Sequence, residues 1–331
     1  FISISDSVDK LTLNVELEEE AYYLHEVEVT KGKRDPAYEI MEKAHARRLY
    51  YLKNEVNAFK CKAYVKSLGR IAKADIKNKV FGLKLFDAPK IPENKIIYFS
   101  EALSEITFKK PDIYNEKMIH SKVSGMPRSY GFATAHAMFA EVNFYENYLS
   151  LGEIYERPFV SPLNANAFNY YEFELLETFS ERGHKIYKIK VTPLKTKSPL
   201  FRGNIYIIDG SWRIHSVNFI IDKSIGIDYI DTLTIQQTFA PVSDSVWMPI
   251  NQKFNIKFSF DVKVASASGS GYVLGIFSNY KLDVPKKIKA KVDTLKKEPS
   301  LNQVVKRRYK QRDKDENASK EFKVDKNELF R

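Results

Sequence analysis

The sequence has a single cysteine, Cys61, among 331 residues. One thiol cannot form an intramolecular disulfide, and it provides no paired-cysteine motif for zinc or redox chemistry. Hydrophobic residues alternate around it, which places Cys61 on the same strand face as Phe59 and Val65. We therefore interpret Cys61 as a buried structural residue and not as a catalytic nucleophile.

Long hydrophobic runs are also absent, since no stretch approaches the ~18 consecutive apolar residues that a membrane-spanning helix requires. Glycine is scarce as well, with 13 residues against 20 Tyr and 22 Phe. Aromatic and β-branched residues suit the pleated, half-buried surfaces of sheets. The composition therefore predicts an all-β or β-rich α+β fold.

The net charge of +11 is concentrated at one end of the chain. Residues 281–331 contain 17 Lys and Arg against 9 Asp and Glu, so the preceding body is nearly neutral. Basic residues near an anionic membrane contribute about 1 kcal/mol each, but the intermixed acids weaken the field here. We predict a mobile basic linker over 285–331 and no nucleic-acid partner. Its densest basic cluster consists of Lys306, Arg307, Arg308, Lys310 and Arg312.

Near the start, apolar and polar residues alternate strictly from Leu11 to Leu17, and a second strand pattern covers 22–30. Two strands cannot form an independent sandwich. Residues 1–30 are therefore predicted to be the last strands of a β-domain whose beginning precedes this sequence, followed by a short basic linker over 31–35.

A helix is predicted from about 36 to 55. Asp35 provides an N-cap, Pro36 occupies the first helical position, and Glu39 lies in the first turn. Three independent start signals therefore agree on where the helix begins.

The rest of the body alternates with the period of a strand, most clearly over 254–262. Short turns such as 181–183 and 209–211 connect the strand patterns, which predicts an antiparallel meander. The predicted large β-rich domain spans 36–284. Its other strand patterns cover 96–108, 115–124, 172–180, 184–192, 203–209, 212–222, 229–240 and 271–280.

Two local patterns predict how this sheet is shaped and filled. The apolar phase switches within 212–221, and a β-bulge near His215 explains the switch. A stretch over 132–151 has helical spacing of apolar residues and ends before Gly152. We expect this helix to pack on the concave face of a curved sheet.

Several short motifs occur in a fixed order along the chain. They include Leu-Glu-Glu-Glu-Ala-Tyr-Tyr-Leu-His-Glu-Val-Glu-Val at 17–29, Phe-Tyr-Glu-Asn at 144–147, Ser-Trp-Arg-Ile-His-Ser-Val at 211–217 and Val-Trp-Met-Pro at 246–249. In this order the chain resembles a family of Bacteroidota outer-membrane proteins. In that family a carboxypeptidase-regulatory-like sandwich precedes a large domain of unknown function and, usually, an outer-membrane β-barrel.

The resemblance implies that residues 1–30 are the last strands of that sandwich, which is Ig-like or transthyretin-like. It also implies a position at the periplasmic face of the outer membrane, with a barrel after Arg331. The large domain is similar in pattern to the half-barrels of lipoprotein carriers and envelope-stress sensors, in which a curved antiparallel sheet wraps one or two helices. The family implies no reaction, because its carboxypeptidase label describes an accessory sandwich and not a peptidase centre.

One pair of residues has the spacing of zinc-carboxypeptidase ligands, namely His25 and Glu28 in an H-x-x-E sequence. Residues three apart on a strand face opposite sides of the sheet, so these two side chains cannot converge on one metal ion. We predict no catalytic residue, no metal site and no cofactor.

The best candidate for a binding groove is the segment 161–171, which combines small polar residues with aromatics. The alternative is that this loop only ties a helix to the sheet. The candidate groove residues are Ser161, Pro162, Leu163, Asn164, Asn166, Phe168, Tyr170 and Tyr171, with Met138 and Phe139 from the predicted helix.

Three functions remain open from the sequence. The first is a non-enzymatic docking or assembly module for envelope proteins. The predicted sheet edges favour it, as does the lack of a recognisable set of catalytic residues. The second is a half-barrel that carries a lipid or lipoprotein on its concave face. The third, a zinc carboxypeptidase, depends on His25 and Glu28 alone. A concave face filled by the chain itself favours docking, and an open apolar cavity favours carriage.

Overall fold

The computed structural model describes residues 34–76, 79–80, 83–84, 95–110, 113–125, 142–151, 155–227, 229–262 and 265–283. The predicted sandwich strands over 1–30 and the basic arm over 285–331 lie outside the described residues, so both stay predictions.

Helix α1 spans Pro36–Leu49 and continues into a wider π-helical turn over Tyr50–Asn54. The Asp35 side chain caps it by accepting a hydrogen bond from the Ala37 amide at 2.8 Å. This confirms the predicted helix and its start. No helix in the described ranges is long and apolar enough to span a membrane.

The described residues form fourteen strands. In chain order they are β1 (Ala58–Ile76), β2 (Lys79–Val80), β3 (Leu83–Lys84), β4 (Lys95–Lys109), β5 (Ile113–Gly125), β6 (Tyr148–Leu149), β7 (Phe159–Val160), β8 (Tyr171–Glu181), β9 (His184–Pro193), β10 (Arg202–Ile208), β11 (Ile214–Asp222), β12 (Ile230–Pro241), β13 (Trp247–Val262) and β14 (Ala265–Asp283).

Ten of these strands form one antiparallel sheet in the order β5-β4-β1-β14-β13-β12-β11-β10-β9-β8. The chain enters at β1, extends outward through β4 and β5, crosses to the far edge at β8 and returns by consecutive hairpins until β14 pairs with β1. The result is an open, curved sheet that wraps a helix, which confirms the predicted β-rich α+β half-barrel.

An inner layer packs on the concave face of the sheet, and it consists of α1 with residues 142–151 and 155–171. One continuous apolar cluster joins this layer to the inward-facing side chains of the strands. Its largest fully buried side chains are Met41, Phe144, Phe159, Leu163, Tyr171, Ile189, Phe201, Ile205, Ile207 and Phe219. Cys61 belongs to the same cluster and is only 3% exposed, as its alternating neighbours predict.

The predicted bulge lies where the sequence places it. Tyr206 pairs with Ser216 and Ile207 pairs with Ile214, so His215 is the extra residue on β11. An extra residue shifts the inward-facing positions by one, and this is the phase switch seen in the sequence.

The predicted helix over 132–151 is wrong in its second half. Residues 142–147 form a turn, and 148–149 form β6. The Asn143 side chain accepts a hydrogen bond from the Tyr145 amide at 3.0 Å, which competes with helical pairing. Two consecutive aromatics, Phe144 and Tyr145, are both buried here, and tertiary packing therefore overrides the helical spacing. The first half of the prediction, with Met138 and Phe139, lies outside the described residues.

Candidate functional site

The predicted groove segment 161–171 is largely buried under the sheet. Ser161 and Leu163 are fully buried, and Asn164 and Tyr171 are 2% and 1% exposed. The Ser161 hydroxyl donates to the Phe144 carbonyl at 2.6 Å and accepts from the Leu163 amide at 3.1 Å. The segment therefore holds the inner layer together. This is compatible with the alternative given above, in which the loop connects a helix to the sheet.

Among the remaining candidate groove residues Pro162 is buried, and Asn166, Phe168 and Tyr170 lie nearer the rim of the inner layer. The Pro162 carbonyl is 3.2 Å from Nε2 of His45, and Asn166 is exposed. Phe168 is partly buried, and the Arg34 guanidinium lies 5.4 Å from its ring centroid. Tyr170 also packs against the core cluster from a half-buried position. The Phe168 ring lies 5.5 Å from that of Tyr38 and 5.6 Å from that of Phe173, so its own neighbours cover part of this rim, and the binding groove stays a prediction.

Tyr171 is the main polar anchor of the inner layer. Its hydroxyl donates to the Val160 carbonyl at 2.5 Å and accepts from the Phe201 amide at 3.1 Å. Burial raises the pKa of this phenol, so the hydroxyl stays protonated and available as a donor.

A buried ion pair closes the end of the half-barrel where α1 ends. The guanidinium of Arg213 and the carboxylate of Glu55 are 3.1 Å apart, and both side chains are at most 10% exposed. Arg213 also donates to the Ser245 carbonyl at 3.1 Å. Its guanidinium lies 4.8 Å from the Tyr51 ring centroid and 5.8 Å from that of Trp247. Arg213 thereby links the helix, the start of β11 and the β12–β13 turn.

The electrostatics of this pair are dominated by burial. Desolvation raises the pKa of Glu55 to about 7, against the opposing attraction of Arg213. Beside it, burial also lowers the pKa of His215, whose Nε2 is 3.5 Å from the Glu181 carboxylate. Near neutral pH the carboxyl group of Glu55 is therefore close to its midpoint of ionisation.

Within the described ranges, no three His, Cys, Asp or Glu side chains are grouped so that they could hold a metal ion. His25 and Glu28 lie outside the described residues, so the carboxypeptidase prediction stays untested.

The two edges of the sheet differ in how they are covered. At β8, the Leu175 amide donates to the Asp35 carboxylate at 3.0 Å, so the start of α1 covers that edge. A register shift between Leu175 and Glu177 also bends β8 away from regular pairing. This edge is protected against further strand addition.

The opposite edge, β5, is largely exposed, although Tyr114, Glu116 and Met118 are half-buried. Ile113 and Val123 are each 50% exposed and Ile119 is 42% exposed, while every residue from 119 to 125 is exposed. The sequence predicted this strand but not its role. The signal was present, because β5 carries polar residues on both faces where a central strand carries apolar ones.

Several solved structures share low overall similarity with the chain. A LolA superfamily protein from Nitrosomonas europaea is 13% identical, with 75% of this chain and 94% of that chain covered and a TM-score of 0.26. An outer-membrane lipoprotein-sorting protein domain from Vibrio parahaemolyticus is 10% identical, with 76% and 94% covered and a TM-score of 0.29. The Pseudomonas aeruginosa MucA/MucB complex contains a chain that is 7% identical, with 75% and 100% covered and a TM-score of 0.20. TM-scores this low carry no functional argument.

The sequence comparisons identify the chain at the level of its family. No curated protein matches it. A family model does, over residues 40–280, which is the range of α1 and the ten-stranded sheet. The chain therefore belongs to the family of unknown function DUF5686.

Proposed function

We propose that the chain is a non-enzymatic docking module of the cell envelope, which holds a partner protein along the β5 edge. The proposal depends on the contrast between the concave face of the sheet and its β5 edge. The concave face between β8 and β13 is filled by the inner layer, whereas β5 is exposed with apolar side chains at Ile113, Ile119 and Val123. The envelope location is supported by the order of motifs in the sequence.

The chemistry of β5 suits the addition of one partner strand. An exposed sheet edge offers backbone groups to an incoming extended segment, and alternate side chains then give specificity. Lys117 and Lys122 give the strand two positive charges against the single negative charge of Glu116. We therefore expect the partner to present an extended segment with acidic residues at alternate positions.

A bulge limits what can pair with this edge. Leu103 pairs with His120 and Ser104 pairs with Met118, so Ile119 is the extra residue on β5. The bulge divides the strand into two short halves, which disfavours the long in-register pairing that leads to aggregation. One short partner segment can still pair with either half of such an edge.

Site-specific photo-crosslinking in intact cells tests this proposal. A photoreactive phenylalanine analogue replaces Ile119 or Val123 on β5, and the same analogue replaces Leu194 or Tyr229 as matched controls. The control side chains are 48% and 61% exposed but lie away from β5. We expect one envelope protein to be crosslinked from the two β5 positions, at least tenfold more strongly than from the controls.

Two outcomes would count against docking at β5. Equal crosslinking from the β5 and control positions would show that exposure alone determines the products. A lack of any protein product from Ile119 and Val123, with efficient photoreaction verified by water adducts, would exclude a partner at this edge.

A lipid or lipoprotein carrier is the second candidate, and one feature favours it. On β4, Tyr98 and Ile106 face inward, but several other inward-facing positions of β1 and β4 carry small side chains. These residues are buried, and they are Ala63, Ser67, Ser100, Ala102 and Ser104. A lipid carrier requires space for an acyl chain to enter beside these small side chains. A docking module requires no such space.

A further inference from the structure

The outer, solvent-facing side of the sheet differs in chemistry between its two halves. On β8 and β9 the lysines are paired with carboxylates. Lys188 lies 2.9 Å from Glu177, and Lys190 lies 2.8 Å from Glu174. On β12 the outward positions 232, 234, 236 and 238 are all Thr or Gln. This half is an ordinary solvated sheet face, whereas the half formed by β4, β1, β14 and β13 is apolar and basic.

Two rows of apolar side chains cross the outer side of β4, β1 and β14. Ala63, Val65 and Ser67 on β1 are fully buried, so the residues that alternate with them face outward. Cross-strand pairing extends these positions into rows. One row consists of Leu103, Tyr64 and Ile276, the other of Phe99, Leu68 and Tyr272, and Leu274 lies between them on β14. Ile276 is 42% exposed and the other six are half-buried, so an apolar band crosses three strands on the side that faces solvent.

Basic side chains surround this band, and together with it they form the basic apolar face. They are Lys60, Lys62, Lys66 and Arg70 on β1, Lys281 on β14, and Lys253 and Lys257 on β13. Against these seven cations, Glu101 and Glu105 on β4 supply two carboxylates. Lys60 and Lys281 lie directly opposite each other, although like charges in that position destabilise a sheet. The excess of positive charge is kept in spite of this cost, which favours an anionic partner.

Two of the lysines lie over aromatic rings of the band. Nζ of Lys66 is 5.3 Å from the ring centroid of Phe99, and Nζ of Lys253 is 5.7 Å from that of Tyr272. Their ammonium groups therefore stay beside the apolar side chains and do not extend away from the sheet. A surface with rings and cations at the same level matches the boundary between the acyl chains and the phosphates of a bilayer.

The dimensions of the basic apolar face distinguish a bilayer from an acidic protein. Strands lie ~4.8 Å apart and alternate residues ~6.8 Å apart along a strand, so the apolar band covers roughly 10 by 14 Å. A stable protein–protein interface buries about 800 Å² of each partner, several times that area. Six of the seven cations are lysines, point charges without the fork by which arginine recognises a particular carboxylate. A small apolar band among dispersed lysines suits a continuous anionic surface.

We infer that the basic apolar face is a contact surface for an anionic lipid bilayer. The apolar band touches the headgroup layer around Ile276, and the surrounding lysines pair with lipid phosphates. Contact through this face is independent of a partner along β5, because its residues lie on β4, β1, β14 and β13. It also differs from lipid carriage, since the lipid stays in the bilayer and the concave face is not used.

Co-sedimentation of the full chain with vesicles tests the electrostatic part of this inference. We expect binding to vesicles of equimolar phosphatidylglycerol and phosphatidylethanolamine, at least tenfold weaker binding to phosphatidylcholine vesicles, and release by high salt. The double variant Arg70→Gln with Lys257→Gln should weaken binding to the anionic vesicles at least tenfold. Lys188→Gln with Lys190→Gln is the matched control, because it removes the same charge from the outer side of β9. It should change binding by less than twofold.

A second pair of variants tests the apolar part. Ile276 and Ile220 are 42% and 41% exposed on the outer side of β14 and β11. Ile276→Ser should weaken binding to the anionic vesicles at least threefold, whereas Ile220→Ser should leave it unchanged. Thermal midpoints close to that of the unsubstituted chain verify that the variants fold. A lack of binding to the anionic vesicles, or equal losses in the two double variants, would overturn the inference. Full binding by Ile276→Ser would also overturn it, because charge alone would then suffice, as for an acidic protein.

Discussion

Replacing Arg213 with methionine is expected to lower the free energy of unfolding by about 3–5 kcal/mol at pH 8. The substitution leaves the buried Glu55 carboxyl group without the cation that lies 3.1 Å away in the unsubstituted chain, so the group must stay ionised without a partner or take up a proton. It also removes the hydrogen bond to the Ser245 carbonyl and the contacts with the Tyr51 and Trp247 rings. Urea unfolding of the variant and the unsubstituted chain measures the loss.

The loss should depend on pH in a defined direction. Burial raises the pKa of Glu55 above its usual value of 4.5 to about 7. A raised folded-state pKa means that the stability from this group is fully present below pH 4.5 and is lost as pH rises through about 7. Without Arg213 the pKa of Glu55 rises further, because the attraction that opposes desolvation is gone. The destabilisation by Arg213→Met should therefore be smaller at pH 5.5 than at pH 8.

Glu55→Gln supplies the matched control for this prediction. It removes the titrating carboxyl group, so the double variant Arg213→Met with Glu55→Gln no longer buries an unpaired charge. We expect the double variant to recover much of the stability that Arg213→Met loses at pH 8. An equal loss at pH 5.5 and pH 8, or no recovery in the double variant, would contradict the role given to the pair.

Replacing Phe144 with alanine is expected to cost about 3–5 kcal/mol of unfolding free energy. Phe144 is fully buried in the inner layer, and its ring lies 5.4 Å from that of Phe201 and 5.2 Å from that of Phe219. Removing the ring leaves a cavity between the inner layer and the sheet. Urea unfolding measures the cost.

The cavity itself provides a second measurement. An apolar cavity of this kind stays dry and accepts a small apolar ligand, so benzene should raise the thermal midpoint of Phe144→Ala but not that of the unsubstituted chain. Leu194→Ala is the control, because Leu194 is 48% exposed and its truncation should change stability by less than about 0.5 kcal/mol. A cost below about 1 kcal/mol for Phe144→Ala would show that the inner layer is not tightly packed.

Local signals in the sequence were sufficient for α1 and for the bulge on β11. Asp35 and Pro36 determine where the helix begins through contacts within four residues, and such contacts can be read directly from the sequence. The bulge at His215 can be recognised in the sequence because one extra residue reverses the alternation of apolar and polar positions. The antiparallel order of the strands followed from the short turns that connect them.

The inner layer could not be predicted in the same way, because its conformation depends on partners distant in sequence. The Gln237 side-chain amide donates to the Val142 carbonyl at 2.8 Å, and the Arg48 guanidinium donates to the Tyr145 carbonyl at 2.8 Å. These bonds replace the helical pairing that the apolar spacing of 142–151 predicted. The sequence also could not decide between a binding groove and a packed loop for 161–171, because the same polar and aromatic residues suit both.

The central claim is that the half-barrel is filled by its own chain and binds its partner outside the sheet. Native mass spectrometry of the chain after incubation with phospholipid vesicles and gentle extraction tests this claim most directly. We predict a single species with the mass of the polypeptide alone, because Phe144, Phe159 and Phe219 already occupy the concave face. A species carrying one bound phospholipid at stoichiometric abundance would contradict the claim and favour the carrier.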